Sequence, residues 1–157
     1  MKKEDKTNVM RVLDQKKVHY ELHTYEPDAT MTGAQIAALL GEDPGKVFKT
    51  LVTKGKSGQY YVFVVPVECV LELKKAASAA GEKSVAMIAQ KDLLQLTGYV
   101  HGGCSPIGMK KPFPTFIHET AREFNRMYVS AGKVGFQIEL APQDLQAVVG
   151  CTFADIV

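Results

Sequence analysis

No run of the 157-residue sequence approaches the ~18 consecutive apolar residues of a membrane-crossing helix, so no helical span is expected. The first residues, MKKEDKTN, are polar and lack the apolar stretch of a secretory signal. Cysteine is scarce: Cys69, Cys104 and Cys151 are odd in number and form no C-x-x-C pair. Reduced thiols in a cytoplasmic protein are therefore expected, not a disulfide framework. Four scattered histidines and three separated cysteines give no zinc spacing, so neither a metal nor another cofactor is expected. Phosphate-binding GxxxxGK[ST], dinucleotide-binding GxGxxG, the GxSxG elbow, HExxH and the HxE…CxxC deaminase set are all missing, and no local signature builds a Ser-His-Asp or Cys-His triad. Charge of one sign is also lacking. Lys and Arg number 19 against 17 Asp and Glu, a net +2 that does not by itself predict nucleic-acid binding. The balance is locally uneven between residues 102 and 135, where Lys110, Lys111, Arg122, Arg126 and Lys133 face only Glu119 and Glu123.

What remains is an ordinary globular composition, 46% hydrophobic and 23% charged, in a chain long enough for one core. No repeat, low-complexity segment or long linker divides it, so residues 1–157 are expected to form a single domain. The Val9, Val12, Leu13 stripe predicts a helix over 8–17, capped by Thr7 or Asn8. Alternation of Val18, Tyr20 and Leu22 predicts a half-buried strand. Thr32 and Gln35 read as a capping box for a helix over 34–40 that Gly41 stops. Two β-rich runs, 47–53 and 59–67, are joined by Lys54-Gly55-Lys56-Ser57-Gly58 and predict a hairpin. A helix is expected over 68–80, a strand over 85–89 and a short helix from Gln90. Further strands are expected at 115–118, 127–130, 136–140 and 153–155, with a helix over 142–149 that has Pro at its first position. Apparent hairpins without a repeated β-α-β unit favour an α+β fold with a mixed, partly antiparallel sheet over a Rossmann arrangement.

Three segments stand out chemically. In Val47-Phe48-Lys49-Thr50-Leu51-Val52 a lysine interrupts an apolar, β-branched strand, although lysine is seldom buried unpaired. It shares its nominal face with Val47 and Leu51; an outward-facing strand lysine and a functional one both remain open. In Gly102-Gly103-Cys104-Ser105-Pro106-Ile107-Gly108 successive glycines let backbone amides approach a phosphate or a developing oxyanion, or simply make a tight connection. Cys104 has no obvious base nearby, His101 being three residues away in unknown geometry. In Val129-Ser130-Ala131-Gly132-Lys133 a strand ends in small residues, which fit a narrow pocket or a plain hairpin.

In this order and spacing the three segments resemble the YbaK/EbsC family of aminoacyl-tRNA deacylases, relatives of the editing domain inserted in bacterial prolyl-tRNA synthetases. Lys6-Thr7-Asn8, Leu13-Asp14, Tyr20 and the run from Ile138 to Leu145 extend the likeness over nearly the whole chain. The resemblance implies a mixed, largely antiparallel, barrel-like sheet surrounded by helices, and editing of a misacylated tRNA in trans without metal or cofactor. It implies Lys49 as the essential group, binding the terminal adenosine and stabilising negative charge. It further implies Gly102 and Gly103 as amides that hold the ester, Ser130 and Gly132 as the wall around the aminoacyl group, and Tyr20 and Thr50 as pocket positions flanking the lysine. At Thr32 some relatives carry an aromatic residue, so the smaller side chain bears on pocket size.

The chain looks most like the free-standing subgroup that clears cysteine from tRNA(Pro). In that subgroup the substrate's own thiol is thought to attack its ester, which agrees with the lack of a protein nucleophile. Partners implied are the aminoacyl-tRNA, tRNA(Pro) with tRNA(Cys) left open, and prolyl-tRNA synthetase. The cations Lys110, Lys111, Arg122, Arg126 and Lys133 are the candidates for contact with the tRNA body. Two other readings remain at this stage: water-dependent removal of alanine or serine, and a non-catalytic module that binds tRNA or a synthetase.

Overall fold

A computed structural model describes residues 6–27 and 31–157. Its elements in chain order are α1 (Asn8–Gln15), β1 (Glu21–Thr24), α2 (Gly33–Leu40), β2 (Phe48–Gly55), β3 (Tyr60–Pro66), α3 (Leu73–Ala80), β4 (Val85–Met87), α4 (Leu93–Thr97), β5 (Thr115–His118), β6 (Met127–Ser130), β7 (Phe136–Leu140), α5 (Pro142–Val149) and β8 (Thr152–Ala154). Short 3₁₀ turns at Gln90–Asp92 and Glu119–Glu123 join neighbours.

The strands form two sheets, ordered β1-β7-β6 and β4-β2-β3-β5-β8. Within the first sheet both pairings are antiparallel; in the second, β3–β5 and β5–β8 are parallel. A single parallel bridge between Val47 and Tyr128 ties the two sheets together beside β2 and β6. The mixed, largely antiparallel α+β fold expected from the sequence is the one observed.

The main core lies between the sheets. Val9, Met10 and Leu13 of α1 meet Phe48, Val52, Val62 and Val64 from the larger sheet and Val129, Ile138 and Leu140 from the smaller one. On the other face of the larger sheet, Phe63 and Val65 pack against Ala76 and Ala77 of α3 and against Ile156. β3 is therefore covered on both faces, which explains why Tyr61 to Pro66 is buried throughout and reads as a continuous apolar run. Burying a side chain such as Phe63, fully inaccessible here, contributes roughly 1.5–3 kcal/mol.

Local signals explain most element ends. The Thr7 side chain accepts from the Met10 N–H at the start of α1. Thr32 and Gln35 form a reciprocal capping box, and Gly41 ends α2 in the left-handed region at φ 69°. Two expectations need correction. The helix expected over 68–80 begins only at Leu73, because the Glu72 side chain caps it by accepting from the Lys74 N–H. The strand expected around Tyr20 is shifted toward its C-terminal end and pairs only over Glu21–Thr24. Glu26-Pro27-Asp28-Ala29 reads as a turn in the sequence and runs into residues outside those described.

Candidate functional site

One cavity, of about 220 Å³, draws residues from both sheets and from α2. Its walls include Lys49 and Thr50 of β2, Gly102 and Cys104 of the glycine-rich loop, and Ser130 and Gln137 of the smaller sheet. Apolar residues Ile36, Val67 and Leu93 complete much of the lining. The volume lies below the ~300–1,000 Å³ common for ligand pockets, which suits a small substituent.

Lys49 reaches this cavity from β2, held in register by antiparallel pairing with Val65. It is partly buried, and among the described residues no carboxylate pairs with it. Its positive charge is felt at Cys69, whose thiol is nevertheless pushed up, first by burial and then by Glu68. A cation without an internal counterion beside a small cavity is suited to an anionic or developing-anionic ligand.

The glycine-rich loop divides its roles. Gly102 lines the cavity and sits at φ 87°, a conformation that an L side chain rarely adopts. Gly103 is buried, and its N–H donates to the Val100 carbonyl at 3.0 Å. A Cβ at Gly103 would stand 3.0 Å from the Val134 nitrogen. Gly103 thus seats the loop on the 133–134 turn, and its amide is not free to hold an ester. Of the two glycines expected to supply amides, Gly102 lines the cavity and Gly103 does not.

Gly132 also acts from behind the wall. It adopts φ 93°, and a Cβ there would lie 3.0 Å from both Tyr99 and Val9. Its N–H donates to Ser130 Oγ at 3.1 Å, which fixes that hydroxyl at the cavity. Tyr20 and Thr32 stand elsewhere. Tyr20 packs against the main core, and burial followed by the nearby Asp14 charge pushes its hydroxyl up to about 12. Thr32 is exposed and its hydroxyl is engaged as the cap of α2. The α2 residues at the cavity are instead Met31, just before the helix, with Gly33 and Ile36.

Sequence reasoning missed Gln137. In Phe136-Gln137-Ile138-Glu139-Leu140 the alternation reads it as solvent-facing, yet it is only 5% exposed. Its Oε1 and the Thr50 Oγ1 are buried and lack hydrogen-bond partners among the described residues. Buried polar atoms are normally paired, so both atoms are poised for groups that a ligand brings.

Cys104 does line the cavity, but burial pushes its thiol up to about 12. It stays protonated at neutral pH and is a poor nucleophile.

The five cations proposed for RNA contact have separate surroundings. Arg126 is paired with the Glu139 carboxylate at 3.2 Å and donates to its carbonyl. Arg122 stacks over Phe153 and Lys133 over Phe136. Lys110 packs over Gly98, and Lys111 borders a different cleft with Val12 and Val148. Glu21, His23 and Glu139 gather near Arg126 with potential metal-ligating atoms within 4.8 Å of one another. His23 and Arg126 already share the Glu139 carboxylate, and none of the three lines the cavity.

A family model described as an aminoacyl-tRNA editing domain matches residues 27–148, which include every wall of this cavity. The chain belongs to that family. The editing domain is 45% identical over 156 residues to EbsC of Enterococcus faecalis, which carries the provisional name Cys-tRNA(Pro)/Cys-tRNA(Cys) deacylase; the match covers 99% of this chain and 95% of that one. The likeness to the YbaK/EbsC group expected from the residues is thereby shown. Proline–tRNA ligase of Fervidobacterium nodosum is 31% identical over 86 residues, which are 55% of this chain and 15% of the ligase. A solved structure described provisionally as a trans-editing enzyme for prolyl tRNA synthetase superposes with a TM-score of 0.80 at 24% identity. That superposition covers 96% of this chain and 97% of the other, and it shows the shared fold. No helix among the described residues is long and apolar enough to cross a membrane.

Proposed function

We propose that this editing domain is a trans-acting deacylase that removes cysteine from mischarged tRNA(Pro). The observation that carries the reading is the convergence of Lys49, Gly102 and Ser130 on one small cavity in which burial keeps the Cys104 thiol protonated. The nearly full-length likeness to EbsC supports the substrate class.

In this reading the aminoacyl ester enters with its carbonyl near Gly102 and Lys49. The substrate thiol attacks the carbonyl carbon. A carbon–sulfur bond forms, the bond from the carbonyl carbon to the ribose oxygen breaks, and the thiol proton ends on that oxygen. The products are a cyclic thiolactone and free tRNA. Lys49 and the Gly102 N–H stabilise the oxyanion formed on the way, and the narrow walls hold thiol and carbonyl in attacking geometry. Editing at a second site is physically sensible for such a substrate. A methylene or similar difference in an apolar pocket is worth only about 1–3 kcal/mol, too little for a synthetase to exclude every near-isostere.

The test is single-turnover deacylation of Cys-tRNA(Pro), Cys-tRNA(Cys), Ala-tRNA(Pro) and Ser-charged tRNA. Cleavage restricted to the cysteine esters supports a substrate thiol as nucleophile. Cleavage of the alanine ester at a similar rate overturns it, since alanine has no thiol. Stimulation by added prolyl-tRNA synthetase would show a shared hold on tRNA, which raises the local concentration of substrate.

A further inference from the structure

A second depression, outside the cavity, lies at the far end of β2. Lys54, Lys56 and Tyr60 border it, together with Met87 of β4 and Asp92. Lys54 pairs in register with Tyr60 on one side and with Ala86 on the other, so these three side chains form one row across β3, β2 and β4. Lys54 Nζ lies 5.5 Å from the Tyr60 ring centroid. Both lysines are exposed, and Met87 is 48% exposed.

The groove and the cavity are neighbours. Asp92 borders the groove and the next residue, Leu93, borders the cavity. β2 also joins them: Thr50 of the cavity and Lys54 share one face of the strand, four residues or about 13 Å apart, while Lys49 projects from the opposite face at the cavity end. A nucleic acid that leaves the cavity along β2 meets the ammonium groups of two exposed lysines, an aromatic ring and an exposed thioether. That is the pattern of a single-strand track, in which cations follow the backbone and apolar faces meet the bases.

We propose that the groove of Lys54, Lys56 and Tyr60 receives the sugar–phosphate backbone of the single-stranded 3′ tail whose terminal ester lies beside Lys49. The proposal rests on the deacylase reading for the occupant of the cavity, but it names a different surface and different residues. None of the five cations singled out from charge distribution belongs to it. Asp92 is the acidic member of the lining and sets the limit on how far the tail is held.

The experiment measures binding of two uncharged RNA hairpins, one with a single-stranded 3′ tail of four nucleotides and one blunt-ended, across a salt series. Wild type is expected to favour the tailed hairpin. The double variant Lys54→Ala/Lys56→Ala is expected to lose that preference, with binding weaker on the order of tenfold at low salt and a log–log salt slope flatter by about 1.4, at ~0.7 per single-strand phosphate contact. Lys54→Arg/Lys56→Arg retains the preference, and Asp92→Asn strengthens it. Equal binding of the two hairpins by wild type, or an unchanged preference in the alanine variant, overturns the proposal. Because the hairpins carry no amino acid, failure of this test is separate from failure of the deacylase reading, which the ester panel decides.

Discussion

Ser130 and Gln137 are register partners across β6 and β7, and both open into the cavity that contains Lys49. Facing cross-strand residues project to the same side of the sheet. The pair therefore presents a hydroxyl pinned by the Gly132 N–H next to an amide whose oxygen has no partner among the described residues. One wall is thus fixed by the protein, and the amide oxygen beside it has no partner among the described residues.

Gln137→Leu tests that arrangement. Removing a buried acceptor without a partner is expected to leave folding stability unchanged or raise it by about 1 kcal/mol, measured by urea unfolding. The same variant is expected to raise KM for the aminoacyl-tRNA. Loss of stability with unchanged kinetics would show that Gln137 has a structural partner and no substrate contact.

Cys104→Ala is expected to keep single-turnover deacylation within a few-fold of wild type, because its thiol, pushed up to about 12, is not the nucleophile. Alkylation at pH 8 should label the partly exposed Cys69 before the buried Cys104. A loss of about 10³-fold or more on Cys104→Ala would return a protein nucleophile to the mechanism.

Gly132→Ala is expected to cost about 1–3 kcal/mol in unfolding experiments, since it places a side chain at φ 93° and against Tyr99 and Val9. Deacylation should fall with it, because Ser130 loses the N–H that orients its hydroxyl. Unchanged stability would mean that the turn relaxes freely.

The hairpin joining β2 and β3 carries a pH-dependent contact. The Glu82 carboxylate accepts from the Ser57 hydroxyl, the Tyr61 hydroxyl at 2.6 Å and the Ser57 N–H, and these bonds hold its pKa below the ordinary 4.5. A carboxyl with a lowered folded-state pKa stabilises fully above its unfolded value and loses that contribution as pH falls through the folded one. Glu82→Gln is therefore expected to lower Tm at pH 7, and the difference from wild type should shrink below pH 4.5. A difference that grows on acidification would contradict the assignment.

Much of the architecture was legible because local chemistry and tertiary environment agree. The capping box at Thr32, the Pro at the start of α5 and the strands at 115–118, 127–130 and 136–140 fall where capping and β-branched runs place them. The helix start near Leu73 was hidden because Leu71 is apolar and serves the second core from a loop, while its neighbour Val70 is apolar yet 82% exposed. At the site, Lys49 was visible as a charge inside an apolar strand. Gln137 was not, because alternation marks a side chain as facing away from the main core and says nothing of a second cover; here that side is closed over the cavity. The roles of Gly103 and Gly132 were blurred for a related reason. A glycine needed for close packing behind a wall and one needed at its surface look alike in sequence.

The most direct measurement is single-turnover cleavage of Cys-tRNA(Pro) by wild type and Lys49→Ala, with Tm recorded for both. The account predicts a rate lower by about 10²–10³-fold, as for removal of an oxyanion-stabilising group, with Tm little changed because no ion pair is lost among the described residues. Wild-type cleavage rates in a stably folded Lys49→Ala protein would contradict it.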